Sequence, residues 1–131
     1  MYELGFERHD KIEILEAKVT GKLDLEAAIE ISSKSREKAY ELGYQLLKDL
    51  SEVELDAGII QVMDFFDPQK NQKLKIKHKE VIGALYVEGN KLSYWNFWET
   101  VASNNGLTSK IFVQKKAAFE WLKNKAEEKQ N

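Results

Sequence analysis

The two histidines are the side chains of this sequence best suited to acid–base chemistry near neutral pH. His9 lies in a predicted hairpin turn and His78 in a lysine-rich segment, and neither has a nucleophile and an orienting acid in a recognised arrangement. The chain has no cysteine, which excludes thiolate metal ligands and a cysteine nucleophile. It also has no glycine-rich phosphate loop, HExxH pair or calcium-loop pattern. The sequence therefore predicts a protein without catalytic residues, cofactor or metal.

Carboxylates occur in two short groups. Asp64 and Asp67 are spaced as on a helix that ends at Pro68, which is typical of side chains that solubilise a helix end. The second group stands at alternate positions and could in principle hold a cation; its members are Glu52, Glu54 and Asp56. An aspartate in front of a helix usually accepts hydrogen bonds from the free backbone amides. We therefore predict that Asp56 caps a helix.

Lys48 is the first candidate for a ligand contact. It interrupts an otherwise apolar strand predicted over residues 44–50. A buried lysine without a partner is costly, which leaves three arrangements. The ammonium reaches water along an apolar surface, it pairs with an acid, or it faces a ligand pocket as an anion contact. The first two are favoured because long basic side chains usually reach water.

A run of five lysines spans residues 70–79 and includes His78. Such a run could contact phosphates, but it lacks interleaved aromatic residues and the whole chain has a net charge of −2. The favoured interpretation is a solvated edge or loop whose charges prevent strand pairing. Nucleic-acid binding is not expected.

Four aromatic rings stand within five positions of a predicted helix: Tyr94, Trp95, Phe97 and Trp98. Rings at this spacing point almost all round the helix, so at least one should lie outside the face that packs on the sheet. Burial under neighbouring elements is favoured. A dimer contact, a membrane-surface patch or the wall of an apolar pocket remain alternatives.

These residues must be positioned by one domain, because 131 residues with 43% apolar content suffice for a single core. No apolar run approaches the ~20 residues of a membrane span, and the N-terminus lacks the basic start and apolar stretch of a signal peptide. A cytoplasmic protein is expected. The charged end, residues 124–131, is expected to fray.

Strands and helices alternate along the chain. Strands are predicted over residues 2–6, 12–19, 44–50, 81–87 and 110–113, and helices over residues 24–42, 56–66, 90–105 and from 115 onward. The apolar run 81–87 indicates a strand covered on both faces, at the centre of the sheet. The predicted fold is α/β, with a mixed sheet of about five strands, the first antiparallel, and about four helices packed on it.

The order of these elements resembles that of the STAS domain family, the fold of anti-sigma-factor antagonists, and in particular its SpoIIAA-like branch. The resemblance covers nearly the whole chain and rests on four short segments: DLS at 49–51, DAGI at 56–59, GKL at 21–23, and IF at 111–112 with Ala118, Trp121 and Leu122 on the last helix. The resemblance implies a regulatory, signalling module that binds a protein partner around its second helix, here residues 51–63.

The implied interaction surface consists of Ser51, Glu52, Glu54, Asp56, Ala57 and Ile60. Kinase-switched members of the family carry a phosphorylated serine where the second helix begins, but here residues 56–58 have no hydroxyl. The usual phosphoserine switch is therefore not expected. Ser51 has a hydroxyl, but a serine in a predicted loop is most often a hydrogen-bonding turn residue.

Two alternatives remain open. The family is also described as STAS/SEC14-like, which suggests a carrier of a small apolar ligand or lipid; its pocket would be formed by Lys48, Phe66, Trp95 and Trp98. The other alternative is a structural domain that forms homodimers through exposed aromatic residues.

Overall fold

Residues 2–56, 58, 78–104 and 106–130 are described by this structure, a computed structural model. Their elements follow the predicted alternation. The strands are β1 (Tyr2–His9), β2 (Ile14–Asp24), β3 (Gln45–Asp56), β4 (Gly83–Tyr86) and β5 (Ser109–Phe112). The helices are α1 (Leu25–Leu42), α2 (Leu92–Asn104) and α3 (Lys115–Gln130), and a short 3-10 turn, Gly89–Lys91, precedes α2.

The five strands form one mixed sheet in the order β1-β2-β3-β4-β5. β1 pairs with β2 antiparallel, and the other three pairs are parallel. The predicted α/β fold with an antiparallel first strand is confirmed. Three α-helices pack on the sheet in the described part of the chain, and the helix predicted over residues 56–66 falls almost entirely outside the described residues.

Helix α1 begins and ends where its sequence predicts. Asp24 has extended backbone angles, and its Oδ1 accepts from the Ala27 amide at 2.7 Å. Leu23 lies in the core and Ala28 packs against the same cluster, as expected of residues that flank a helix start. At the other end Gly43 has φ of 72°, a left-handed conformation that glycine adopts without a Cβ clash.

The two faces of the sheet carry different helices. Ile31 of α1 and Trp95 of α2 share one core cluster, while Ala118 and Leu122 of α3 belong to another. Successive residues of a strand point to opposite faces. On β3, Leu46 therefore packs with Ala39 of α1, whereas Leu47 packs with α3.

Two strand predictions are corrected by the structure. β3 was expected to end at residue 50 and continue as an acidic loop, but it extends to Asp56. The reason is its pairing with β2, which also extends past its predicted end at Val19, so that Thr20 to Asp24 lie beside Glu52 to Asp56. This ladder satisfies backbone groups that a loop would leave to water. An irregularity in register between Lys18 and Thr20 shifts the side-chain alternation.

The second correction concerns the position of β4. It is an interior strand with both faces covered, as its apolar run predicts, but the central strand of the sheet is β3. A continuous apolar run indicates that both faces of a strand are covered. Any interior strand can meet this condition, so the run does not identify the central one.

The C-terminal elements agree closely with their predicted spans. Gly106, with φ of 84°, follows α2, and its amide donates to the Ser103 carbonyl. Helix α3 continues to Gln130, into the segment 124–131 that is expected to fray.

Within the described ranges, no helix is both long enough and apolar enough to cross a membrane.

Candidate functional site

Strand β3 carries adjacent ionisable residues on opposite faces of the sheet. Asp49 follows Leu47 on the α3 face, and Lys48 follows Leu46 on the α1 face. Each belongs to a group of polar side chains. We call the first the Lys115 network, which consists of Lys115, Glu16, Asp49, Ser51 and His9. We call the second the Lys48 cluster, which consists of Lys48, Arg36, Ser32 and Ser35.

The Lys115 network joins two buried carboxylates to one ammonium. Lys115 is the first residue of α3, and its Nζ contacts Asp49 Oδ2 at 3.0 Å and also contacts Glu16 Oε2. The side chains of Glu16 and Asp49 are only 5% and 6% exposed, whereas that of Lys115 is 35% exposed. Without this lysine, two carboxylates would be buried with no cation shared between them, which is strongly unfavourable.

Hydrogen bonds set the protonation of this network. Burial alone raises the pKa of Asp49, but bonds from Ser51 and Lys115 outweigh burial and hold its pKa below the usual range. Asp49 Oδ1 accepts from both the amide of Ser51, at 3.1 Å, and its hydroxyl, at 2.7 Å. Burial alone lowers the pKa of Lys115, but its bonds to Glu16 and Asp49 outweigh burial and raise it above the ordinary value. These bonds thus favour the charged forms of Asp49 and Lys115.

His9 extends the network to the surface. Its Nε2 is hydrogen-bonded to Glu16 Oε1 at 2.9 Å, and its ring meets Phe119 of α3 edge-on, with centroids 5.1 Å apart. Together with the exposed Glu7, these residues place three ligand-type atoms within 4.8 Å of one another, a geometry that could hold a metal ion. Both oxygens of Glu16 are already engaged, Oε2 with the Lys115 ammonium and Oε1 with His9. The network also lacks an unengaged base beside a nucleophile, because Ser51 donates its proton to Asp49.

On the opposite face, Lys48 extends from β3 toward α1. Its Nζ donates to Ser32 Oγ at 3.3 Å, and in the described part of the chain it contacts no carboxylate. Burial, and secondarily the charge of Arg36, lower the pKa of Lys48 to about 7. Pairing with an acid, one of the three arrangements predicted for Lys48, is therefore not found among the described residues.

Arg36 and Ser35 complete the Lys48 cluster from α1. Arg36 is 5% exposed and donates through NH1 to the Val81 carbonyl at 3.0 Å. Burial lowers its pKa, and the exposed Glu80 acts in the opposite direction. Ser35 is fully buried, and its hydroxyl has no hydrogen-bond partner among the described residues. Residues 32, 35 and 36 are three and four apart and therefore share one face of the helix.

Two of the four residues predicted to line an apolar pocket lie next to each other at one core cluster. Trp95 is buried and Trp98 packs against the same core cluster, with ring centroids 6.1 Å apart. They lie on the same face of the sheet as Lys48, whose register partner Leu85 belongs to that cluster. Phe66 lies outside the described residues. Phe97 is half-buried and belongs to none of the core clusters formed by the described residues.

The predicted interaction surface is brought together on one strand as far as it is described. Val53 is 1% exposed and Leu55 packs on the core, so the alternating side chains of Glu52, Glu54 and Asp56 point to the other face, where all three are exposed. We call these three carboxylates the acidic strand face. Ser51 is a strand residue bound to Asp49, where the sequence predicts a loop. Ala57 and Ile60 lie outside the described residues.

The Lys115 network was missed by reasoning from the sequence. One signal for it exists, because Glu16 stands between Leu15 and Ala17 and Asp49 lies in a largely apolar strand. Acids at such positions are rarely buried unless they are paired. Their cation could not be identified, because Lys115 lies 66 residues beyond Asp49 and meets it only through the fold.

Comparison with protein-family models gives no match, and neither does comparison with curated proteins. Solved structures do match. The chain is similar to a protein of the DUF3478 family with a SpoIIAA-like fold from Shewanella loihica PV-4, at 23% sequence identity and a TM-score of 0.54, over 92% of this chain and 93% of that one. It is also similar to an anti-sigma factor antagonist from Mycobacterium paratuberculosis, at 15% identity and a TM-score of 0.56, over 93% and 94% of the two chains.

These similarities extend over nearly the whole of each chain. Both neighbours carry the architecture that the sequence predicts. The predicted resemblance is confirmed at the level of the fold, which is STAS-like, of the SpoIIAA-like type.

Proposed function

We propose, from the premise of this SpoIIAA-like fold, that the protein is a non-enzymatic regulatory module that binds a protein partner through the acidic strand face. One neighbour is an anti-sigma factor antagonist, which makes a protein partner the natural expectation for the fold. The proposal keeps the cytoplasmic location that the sequence predicts. The observation that carries it is the arrangement of three exposed carboxylates on one face of β3.

The carboxylates of this face are available to a partner. Glu52, Glu54 and Asp56 form no ion pair with any residue in the described ranges, although Lys22 stands beside Glu54 in the strand register. The strand that presents them is fixed from behind, because Val53 is in the core and the Lys91 ammonium donates to its carbonyl at 2.9 Å. A rigid strand loses little conformational entropy on binding.

The chemistry of this face indicates a partner with a basic surface. Three like charges at alternate positions lie about 7 Å apart along a strand, which suits arginine and lysine side chains from a neighbouring helix or strand. Exposed charges of this kind mainly contribute specificity and association rate. We therefore expect binding that weakens as salt increases.

The proposal does not include the phosphoserine switch of kinase-regulated relatives. Asp56 and Gly58 carry no hydroxyl, and neither does Ala57. Ser51 carries the hydroxyl nearest in sequence to residues 56–58. This residue is half-buried, and its hydroxyl donates to Asp49. A module of this design would present its negative charge permanently.

Reversing two charges of the acidic strand face is expected to remove the partner. The double variant Glu52→Lys/Glu54→Lys and the wild type are used as baits in extract from the source organism, and captured proteins are quantified by mass spectrometry. We expect at least a tenfold loss of one captured protein, because two attractions become repulsions.

The matched control is Glu37→Lys/Glu41→Lys on α1, which reverses the same number of exposed charges elsewhere. It should retain the partner. Both variants should keep their folding free energy within about 0.5 kcal/mol of the wild type, since the substituted residues are exposed. Equal capture by the wild type and the Glu52→Lys/Glu54→Lys variant would contradict the proposed function.

A further inference from the structure

We propose that the Lys48 cluster is a binding site for one oxyanion group, a carboxylate or a phosphate, held between α1 and β3. The proposal goes beyond the proposed function, because this cluster lies on the face of the sheet covered by α1 and α2. The acidic strand face lies in the second half of β3, beyond the irregularity in its register with β2. Its side chains point to the opposite face of the sheet.

The charges of the cluster are unbalanced. Lys48 lies on the strand and contacts Ser32 of the helix, and Arg36 stands one turn further along the same helix face. The charge of Arg36 contributes to the lowered pKa of Lys48. Lys48 has no carboxylate partner in the part of the chain described, and the acid that acts on Arg36 is the exposed Glu80. Two cations in a largely buried place attract an anion more strongly than they would in water, because the local dielectric is low.

The hydrogen-bonding capacity of the cluster is also incompletely used. Ser35 is fully buried, and within the described ranges its hydroxyl has no partner, which is uncommon because a buried polar group normally finds one. Ser32 accepts from Lys48 and retains its own proton to donate. Arg36 uses one nitrogen on the Val81 carbonyl, and the rest of its planar fork suits the paired oxygens of a carboxylate or phosphate.

Lys48 is the partly exposed residue of the cluster, whereas Arg36 and Ser35 are buried. An oxyanion that enters from the Lys48 side would meet the ammonium before the buried guanidinium and hydroxyl groups. The tryptophans of α2 lie on the same face of the sheet, so an apolar acid is one source of the oxyanion and free phosphate is the other.

The test is titration of the full chain with sodium phosphate or sodium octanoate, against sodium chloride at equal ionic strength. The readouts are Tm and the NMR signal of the Lys48 ε-methylene, followed across pH. We expect a saturable rise in Tm and a rise in the pKa of Lys48, since an anion favours the charged amine. A response to phosphate alone, to octanoate alone or to both supports the site and identifies the source of its oxyanion.

Three variants separate a specific site from general salt effects. Lys48→Met should weaken binding at least tenfold, and Ser35→Ala should weaken it about fivefold, as expected for one lost hydrogen bond. Lys123→Met, an exposed lysine on α3, should bind as the wild type does. Two results would overturn the proposal: no response to either anion, or an unchanged response in Lys48→Met. Neither result bears on capture of a partner by the acidic strand face.

Discussion

Replacing Lys48 by methionine is expected to raise the free energy of unfolding by about 1–3 kcal/mol at pH 6 in the absence of an oxyanion. The wild type must bury a charged ammonium near Arg36, and the Ser32 hydroxyl is its one hydrogen-bond partner in the part of the chain that the structure describes. Methionine fills a similar volume without that desolvation penalty, and such replacements of buried charges are often stabilising. We expect a gain in the lower part of this range because Lys48 is partly exposed.

The gain should depend on pH with a definite sign. Burial and the charge of Arg36 lower the pKa of folded Lys48 from 10.5 to about 7. Below pH 7 the lysine is charged in both states, and its burial opposes folding fully. Between pH 7 and 10.5 the unfolded chain binds a proton that the folded protein does not, so stability of the wild type rises with pH. The advantage of Lys48→Met should therefore shrink across that window.

Urea unfolding of the wild type, Lys48→Met and Lys123→Met at intervals from pH 6 to 10 measures this difference. Lys123 is exposed, so its variant should follow the wild type at every pH. A Lys48→Met protein that is less stable than the wild type at pH 6 would show that the ammonium has a stabilising partner. A gap that stays constant with pH would show that Lys48 titrates normally.

Replacing Lys115 by methionine is expected to destabilise the protein by about 2–4 kcal/mol at pH 7. The substitution leaves Glu16 and Asp49 buried without the cation that they share, and removal of one partner from a buried ion pair is strongly unfavourable. The expected loss of stability is smaller than that for a fully buried ion pair. The reason is that the Lys115 side chain is 35% exposed, so water partly screens its charge.

The pH window follows from the two pKa shifts. The lowered pKa of Asp49 gives stability that is present above its ordinary pKa of 3.8 and lost as pH falls through the folded value. The raised pKa of Lys115 gives stability that is present below 10.5 and lost as pH rises through its folded value. The network should therefore contribute fully between about pH 5 and 10, and the cost of Lys115→Met should diminish on acidification toward pH 3.

Lys116→Met is the matched control, since Lys116 is the next residue in the same helical turn and is exposed. Its unfolding free energy should differ from the wild type by no more than about 0.5 kcal/mol. Denaturant unfolding of both variants at pH 7 and pH 4 provides the comparison. A Lys115→Met protein as stable as Lys116→Met would show that the ion pairs contribute nothing to the fold.

The predicted fold was largely correct because its signals are local. The Asp24 cap, the Gly43 stop and the apolar run of β4 each depend on a few neighbouring residues, and the structure confirms all three. The length of β3 was underestimated because its second half carries alternating acids, a composition that is typical of a loop. Only pairing with the extended β2 makes that half a strand, and pairing partners are not visible in a single segment.

The residues of the candidate sites were identified from the sequence only where the signal is local. Glu52, Glu54 and Asp56 were assigned to the interaction surface through the family resemblance, and Lys48 was singled out by its place in an apolar strand. Its neighbours Ser32 and Arg36 were not recognised, nor was the link from Asp49 to Lys115. Each of these contacts joins elements that are distant in sequence, and their geometry is set by how helices pack on the sheet.

Site-specific photocrosslinking tests the central claim, a protein partner on the acidic strand face, most directly. A benzophenone amino acid is placed at position 22, which stands beside Glu54 in the strand register, and, in a separate protein, at position 41 on α1. Both proteins are irradiated in extract from the source organism. We predict one crosslinked product from position 22 that is absent from position 41. Unlabelled wild type should compete that product away, and Glu52→Lys/Glu54→Lys should not. The claim would be contradicted by no product at position 22, or by equal products at both positions.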